Sequence, residues 1–220
     1  MVMISSDQKL ELATTLFAHN AVKISTSNEP FCFSSGWASP VFVDMKLMMS
    51  FHNARRLFTQ VSVQKIRSII DTSNIDIIIG CELAGVPFST LIADQLELPL
   101  AIAMKSRRGF GRLSQFEGYF AKDARALLVD DLTTDGMTKV AMNKAILRAQ
   151  AHVAGTFVLF SYEIFPTKFH FDHLLCLEDL IHAAIAKNLL PIKDIETLQA
   201  FQSNPSQWSY EHGGIATLES

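Results

Sequence analysis

Leu127-Leu128-Val129-Asp130-Asp131-Leu132-Thr133-Thr134-Asp135-Gly136-Met137-Thr138 is the stretch on which the reading of this chain turns. An apolar run ends in two adjacent carboxylates and passes through a threonine-rich turn with one glycine. It then enters a segment of helical spacing, predicted over 137–148. Strand, polar turn and helix in that order present successive backbone N–H groups and hydroxyls at a helix N-terminus, a cradle that suits a phosphate. Asp130 and Asp131 stand where paired carboxylates can hold sugar hydroxyls or lie beside a hard cation such as magnesium. A strand-to-helix turn capped by Asp and Thr is also common without any ligand, so the surrounding chain has to decide.

Working outward, Ile75-Asp76-Ile77-Ile78-Ile79 is β-branched and nearly continuous, as expected of a strand buried on both faces. The spacing predicts a tight loop over 80–85, a helix over 86–96 and strands over 100–104, 125–129 and 152–161. Alternating units of this size imply a parallel sheet with right-handed crossovers. Ligands of such sheets bind beyond the C-terminal strand ends, where the acid pair falls. Upstream, Ser5 and Gln8 have capping-box spacing for a helix over 7–19, strands are expected over 30–33 and 40–45, and a helix over 52–70. The whole of 1–220 reads as one α/β domain with a core over about 46–164.

Composition narrows the function classes. Of 220 residues 49% are hydrophobic, yet the most apolar stretch, 75–104, is broken by charges and prolines before it reaches the ~20 residues of a membrane span. The start carries no secretion-type pattern. Nineteen basic against 22 acidic side chains give a formal charge of −3, which disfavours nucleic acid as a partner. Cys32, Cys81 and Cys176 have neither metal spacing nor an even count. The expectation is a reduced, cytoplasmic protein. His170 and His173 have loose metal spacing, but no carboxylate or cysteine is expected to complete a set.

The acid pair and its turn resemble the 5-phosphoribosyl pyrophosphate (PRPP) signature of type I phosphoribosyltransferases, and the surroundings resemble the orotate phosphoribosyltransferases in particular. Phe33-Ser34-Ser35-Gly36-Trp37-Ala38-Ser39-Pro40 is similar to that family's N-terminal hairpin, and Gly80-Cys81-Glu82-Leu83-Ala84-Gly85 to its pyrophosphate loop. Lys105-Ser106-Arg107-Arg108-Gly109-Phe110-Gly111 resembles its catalytic loop. The resemblance implies the type I fold, a parallel sheet flanked by helices with a small hood from about 1–45 and 165–220. It implies transfer of the phosphoribosyl group from PRPP to orotate, with Mg²⁺ held mainly through PRPP and not directly by protein.

By the same resemblance, Asp130 and Asp131 hold the ribose hydroxyls, while Lys105 and Arg108 act as catalytic cations. Thr133, Thr134, Asp135, Gly136, Met137 and Thr138 grip the 5′-phosphate. Glu82, Ala84, Gly85, Arg107 and Ser34 line the pyrophosphate and base sites. A homodimer is implied, with the loop over 105–115 reaching the neighbouring site. The chain departs from the pattern at Ser34, Ala84, Met104, Arg108 and Asp135, which keeps two other readings open. One is transfer to a different base; the other is a PRPP-sensing module without turnover.

Overall fold

A computed structural model describes residues 4–25, 29–106, 115–165, 167 and 169–217. The chain opens with α1 (Ser6–Ala18), whose capping box is formed as its sequence predicts, with Ser5 and Gln8 exchanging side-chain and backbone bonds. Short strands β1 (Val22–Ile24), β2 (Phe31–Cys32), β3 (Ala38–Ser39) and β4 (Val41–Val43) follow. β2 pairs with β3 and β4 pairs with β1, both antiparallel. The expected strand over 40–45 is therefore shorter, and β1 was not foreseen, its single Val-Lys-Ile alternation being too short to mark a strand. After α2 (His52–Ile69) come β5 (Ile77–Cys81), α3 (Gly85–Leu96), β6 (Leu100–Ala103), β7 (Phe116–Glu117), β8 (Arg125–Thr133), α4 (Met137–Arg148) and β9 (His152–Ser161). β10 (Asp172–Cys176), α5 (Leu177–Ala186), α6 (Ile192–Ser203) and α7 (Pro205–Glu211) complete the chain.

Six strands form the main sheet in the order β10-β9-β8-β5-β6-β7, parallel except for β7 at one edge. The alternation inside each central strand explains why both faces are covered. Ile78, Leu127 and Val129 join one buried cluster with Leu12, Phe58, Phe88 and Leu180, from α1, α2, α3 and α5. Ile77, Ile79, Ala126 and Leu128 join a second, smaller cluster with Met142 and Ile146 of α4. The result is an α/β sheet flanked by helices, as expected from the sequence.

Two strand ends differ from expectation. β8 runs to Thr133 rather than stopping at Val129, because β9 pairs with it as far as Thr133–Ser161. Asp130 and Asp131 therefore lie inside a strand, their backbones fixed by ladder bonds. β10 and α5 belong to the main sheet and its helix layer although they lie in the segment expected to form the hood. The remaining C-terminal residues do meet the N-terminal hairpins: Ala38 N–H donates to Ser209 Oγ (2.9 Å) and Ile215 N–H to the Gly36 carbonyl (3.0 Å). Trp37 stacks on Phe165 with ring centres 4.2 Å apart. Buried Tyr162, just past β9, accepts from Val43 N–H (3.2 Å) and donates to the Val41 carbonyl (3.3 Å), which ties β4 to the sheet end.

Candidate functional site

The chain leaves β5 toward β6 on one side and later returns to β8 on the other side of β5. The loops after β5 and β8 therefore part at their C-terminal ends and leave a crevice between them, the usual ligand site of such sheets. Gly85, the first residue of α3, lies so close to β8 that an added Cβ would stand 2.6 Å from Asp130 Oδ1 and 2.9 Å from Asp130 Cα. Only glycine permits that approach.

Asp130 shares the α4 face of the sheet with Leu128 and Cys81. Its Oδ1 accepts the Asp131 N–H (2.9 Å), and its Oδ2 forms an ion pair with Lys139 of α4. The Lys139 ammonium also donates to the Leu132 carbonyl (2.7 Å). Asp130, Asp131 and Lys139 are all buried, exposed by 5, 7 and 4%. Burial, and then the charge of Asp130, push the Asp131 carboxyl up to about 7, with Lys139 opposing. Burial works against the Lys139 charge, but the Asp130 carboxylate outweighs it and holds the ammonium above the ordinary lysine value. Cys81 is pushed well up by burial and then by Asp130, so its thiol is no nucleophile.

The turn Thr134-Asp135-Gly136 leads into α4. Gly136 caps the helix at φ 79°, in the left-handed region, and a Cβ there would meet the Phe169 ring at 2.7 Å. Asp135 turns onto the helix N-terminus, its Oδ1 accepting the Met137 N–H (3.1 Å), while its buried Oδ2 has no hydrogen-bond partner among the described residues. Thr133 is buried, Thr134 half-buried, and Met137 and Thr138 are exposed. Across the crevice Glu82 and Ala84 are half-buried on the loop after β5. Glu82 Oε1 accepts the Lys105 N–H (2.7 Å), which joins that loop to the exposed start of the next. Met104 and Gln115 close the base of the 105–115 segment through Met104 N–H to the Gln115 carbonyl (2.8 Å). Ser34 is exposed in the β2–β3 turn. Arg107 and Arg108 lie outside the described residues.

A phosphoribosyl transferase domain profile matches residues 51–166. The orotate phosphoribosyltransferase of Agrobacterium fabrum is 33% identical over 202 residues, 87% of this chain and 86% of that protein. That of Rhizobium rhizogenes is 32% identical over 215 residues, 94% and 92% of the two chains. This chain belongs to the orotate phosphoribosyltransferase family. Among solved structures, the fold is similar to orotate phosphoribosyltransferase from Aeropyrum pernix, with a TM-score of 0.67 at 22% identity, covering 82% of this chain and 99% of that one. It is also similar to Leishmania donovani UMP synthase, with a TM-score of 0.73 at 21% identity, covering 89% of this chain and 42% of that one.

Within that family frame, the structure gathers Asp130, Asp131, Thr133, Thr134, Asp135 and Gly136 on one side of the crevice and Glu82, Ala84, Gly85 and Lys105 on the other. Sequence reading missed Lys139. Only its distance along the helix from the acid pair could have flagged it, because a lysine three residues into an amphipathic helix ordinarily faces solvent. It also missed the companions of His173. Glu163, His173 and Cys176 bring one ligand atom each within 4.8 Å of one another, so a carboxylate and a cysteine do stand beside that histidine. Cys176 is pushed up to about 12 by burial and then by Asp179, and Lys9 pairs with Asp179 at 3.0 Å. A protonated thiol and a nearby ammonium leave this group poorly suited to a cation.

Proposed function

We propose that the protein transfers the phosphoribosyl group of PRPP to orotate, forming orotidine 5′-phosphate and pyrophosphate for pyrimidine biosynthesis. The observation that carries this is the buried acid pair at the end of β8, running directly into the N-terminus of α4 at the point where the sheet changes direction. The C1–oxygen bond to pyrophosphate breaks and that oxygen keeps the electron pair, while a ring nitrogen of orotate bonds to C1 and gives up its N–H proton, which leaves with the pyrophosphate or to water. The ribose becomes cationic on the way, so catalysis rests on fixed negative charge beneath it and on positioning.

Asp131, with Asp130 beside it, meets the ribose hydroxyls. Thr133, Thr134, Gly136, Met137 and Thr138 offer hydroxyls and backbone N–H groups to the 5′-phosphate, helped by the α4 dipole. Asp135 shapes that turn by capping it. Glu82, Ala84 and Gly85 take the pyrophosphate side, Lys105, Arg107 and Arg108 supply positive charge to it, and Ser34 stands toward the base. Hard oxygen donors are what Mg²⁺ prefers, and Asp130 is already occupied by an ammonium. The donor set thus fits a metal that arrives on the oxygens of PRPP, with Asp130 and Asp131 nearby and not as ligands. A Mg²⁺ ion held there would supply positive charge to the pyrophosphate oxygens. In this reading the enzyme works in the cytoplasm as a homodimer, its 105–115 segment reaching the neighbouring site.

Mixing the protein with orotate, PRPP and Mg²⁺ tests the proposal. Pyrophosphate release matched by loss of orotate absorbance is expected. Turnover only with other bases, or PRPP binding without turnover, would overturn it.

A further inference from the structure

We infer that Lys139 is a positioning residue for phosphoribosyl transfer, acting through Asp130 to fix the ribose-binding carboxylates relative to the phosphate cradle. The inference rests on the reading of the site given above. Lysine is almost never fully buried unless it is paired, and this one, 4% exposed, makes two bonds that straddle Asp131. Its ammonium pairs with the side chain of Asp130 and donates to the main-chain carbonyl of Leu132 at 2.7 Å. The strand is therefore held from both sides of the residue that meets the ribose. Lys139 itself rides on the first turn of α4, three residues after the cap Gly136. One ammonium thus links the strand that carries the carboxylates to the helix whose N-terminus faces the phosphate.

Charge points the same way. Two unpaired carboxylates side by side would repel both each other and a ligand bearing a phosphate and a pyrophosphate. With Lys139 in place the charge of Asp130 is balanced by an ion pair, and the negative charge left for a ligand to meet is that of Asp131. Asp130 has one oxygen on Lys139 and the other on the Asp131 N–H, so its part is to orient its neighbour. A merely stabilising ion pair would leave the balance between substrates untouched, whereas a device that aligns ribose and phosphate sites acts on PRPP and spares orotate.

The test uses K139M, K139R, D130N and the double variant D130N/K139M, with steady-state kinetics and calorimetric titration of PRPP. K139M is expected to raise KM for PRPP and lower kcat/KM by about 10- to 100-fold, as misplacements on the order of 1 Å do, with KM for orotate little changed. K139R, which keeps the charge, recovers part of the loss. The double variant, a neutral pair of similar volume, binds PRPP no more weakly than D130N alone, because Lys139 acts through Asp130. If K139M does not fold, the comparison of the double variant with D130N decides alone. Wild-type kinetics in K139M, losses that multiply in the double variant, or equal rises in both KM values would overturn the inference. Should the wild-type protein fail to use orotate, the functional reading falls, and PRPP titration of the same variants still decides the role of Lys139.

Discussion

Asp131→Asn separates function from stability in opposite directions. The carboxyl titrates at about 7 in the folded chain against an ordinary 3.8, raised by burial and by Asp130. Its ionised form is thus disfavoured by the fold. Below an unfolded value near 3.8 the group is protonated in both states and costs nothing. Between about 3.8 and 7 the unfolded chain ionises it while the folded chain does not, so stability falls by about 1.4 kcal/mol per pH unit. The fall is fully reached above 7, at an upper bound of ~4 kcal/mol that side-chain relaxation trims to about 2. Asparagine keeps the shape and removes the charge. The variant should melt close to wild type at about pH 4 and above it at about pH 8.5, by roughly 4–8 °C for a chain of this size. Turnover at the higher pH should fall by about 10²–10³, the usual loss when one charge-stabilising group is taken from a transition state. Calorimetric scans at the two pH values, with a pyrophosphate-release assay at the higher one, provide the check. A melting difference independent of pH, or a variant less stable than wild type at the higher pH, would refute the reasoning. Full activity would remove Asp131 from the site.

The same titration makes PRPP affinity rise with pH through about 7, because hydroxyl donors favour the ionised carboxylate. Calorimetry in buffers of different ionisation enthalpy should show proton release on binding near pH 6, and proton uptake would contradict it. Gly85→Ala drives a methyl against Asp130 and should cost about 1–3 kcal/mol in urea unfolding, together with most of the turnover; an unchanged midpoint would show that the β5 and β8 loops separate freely. Tyr162→Phe leaves the buried Val43 N–H without its acceptor and should cost about 1–3 kcal/mol, read from the same unfolding curves. Asp76, held down at about 2 by its paired hydrogen bonds to Arg125, stabilises the fold above its unfolded value. That contribution disappears as pH falls through about 2, so Asp76→Asn should lower the melting temperature at neutral pH and not at the acid extreme.

What could be read from sequence divides along physical lines. Ile77–Ile79 and Leu127–Val129 announce buried strands because every residue is apolar, and α4 begins where the Thr-Thr-Asp-Gly turn says it must. Local rules suffice there. The extension of β8 through Asp130 to Thr133 was not legible, because two adjacent aspartates have poor strand character and only pairing with the longer β9 holds them extended. β1 and β7 are too short to carry a pattern. Lys139 was missed for a similar reason. A lysine becomes a buried counter-charge only when a strand from elsewhere brings a carboxylate to it, and helix periodicity contains no sign of that. His173 shows the same limit for Glu163, which follows β9 and comes beside β10 through the parallel pairing of the two strands.

Three buried carboxylates between Asp130 and Asp135 look at first like a poor setting for a phosphorylated ligand. The structure compensates two of them, each in a different way. Asp130 has the ammonium of Lys139. Asp135 has the N-terminus of α4, where the helix dipole favours an anion and the Met137 N–H binds one of its oxygens. Asp131 has neither bond, and burial followed by the charge of Asp130 raises its carboxyl to about 7. A group in that condition gains most from a cationic neighbour, and a ribose losing pyrophosphate is a transient cation. In the proposed reading, Asp130 and Asp135 are balanced before the substrate binds, and Asp131 is the carboxyl left to meet the sugar as it becomes positive. This also accounts for the departures at Ala84 and Met104: with two of the three acids balanced internally, the described crevice needs fewer cations of its own.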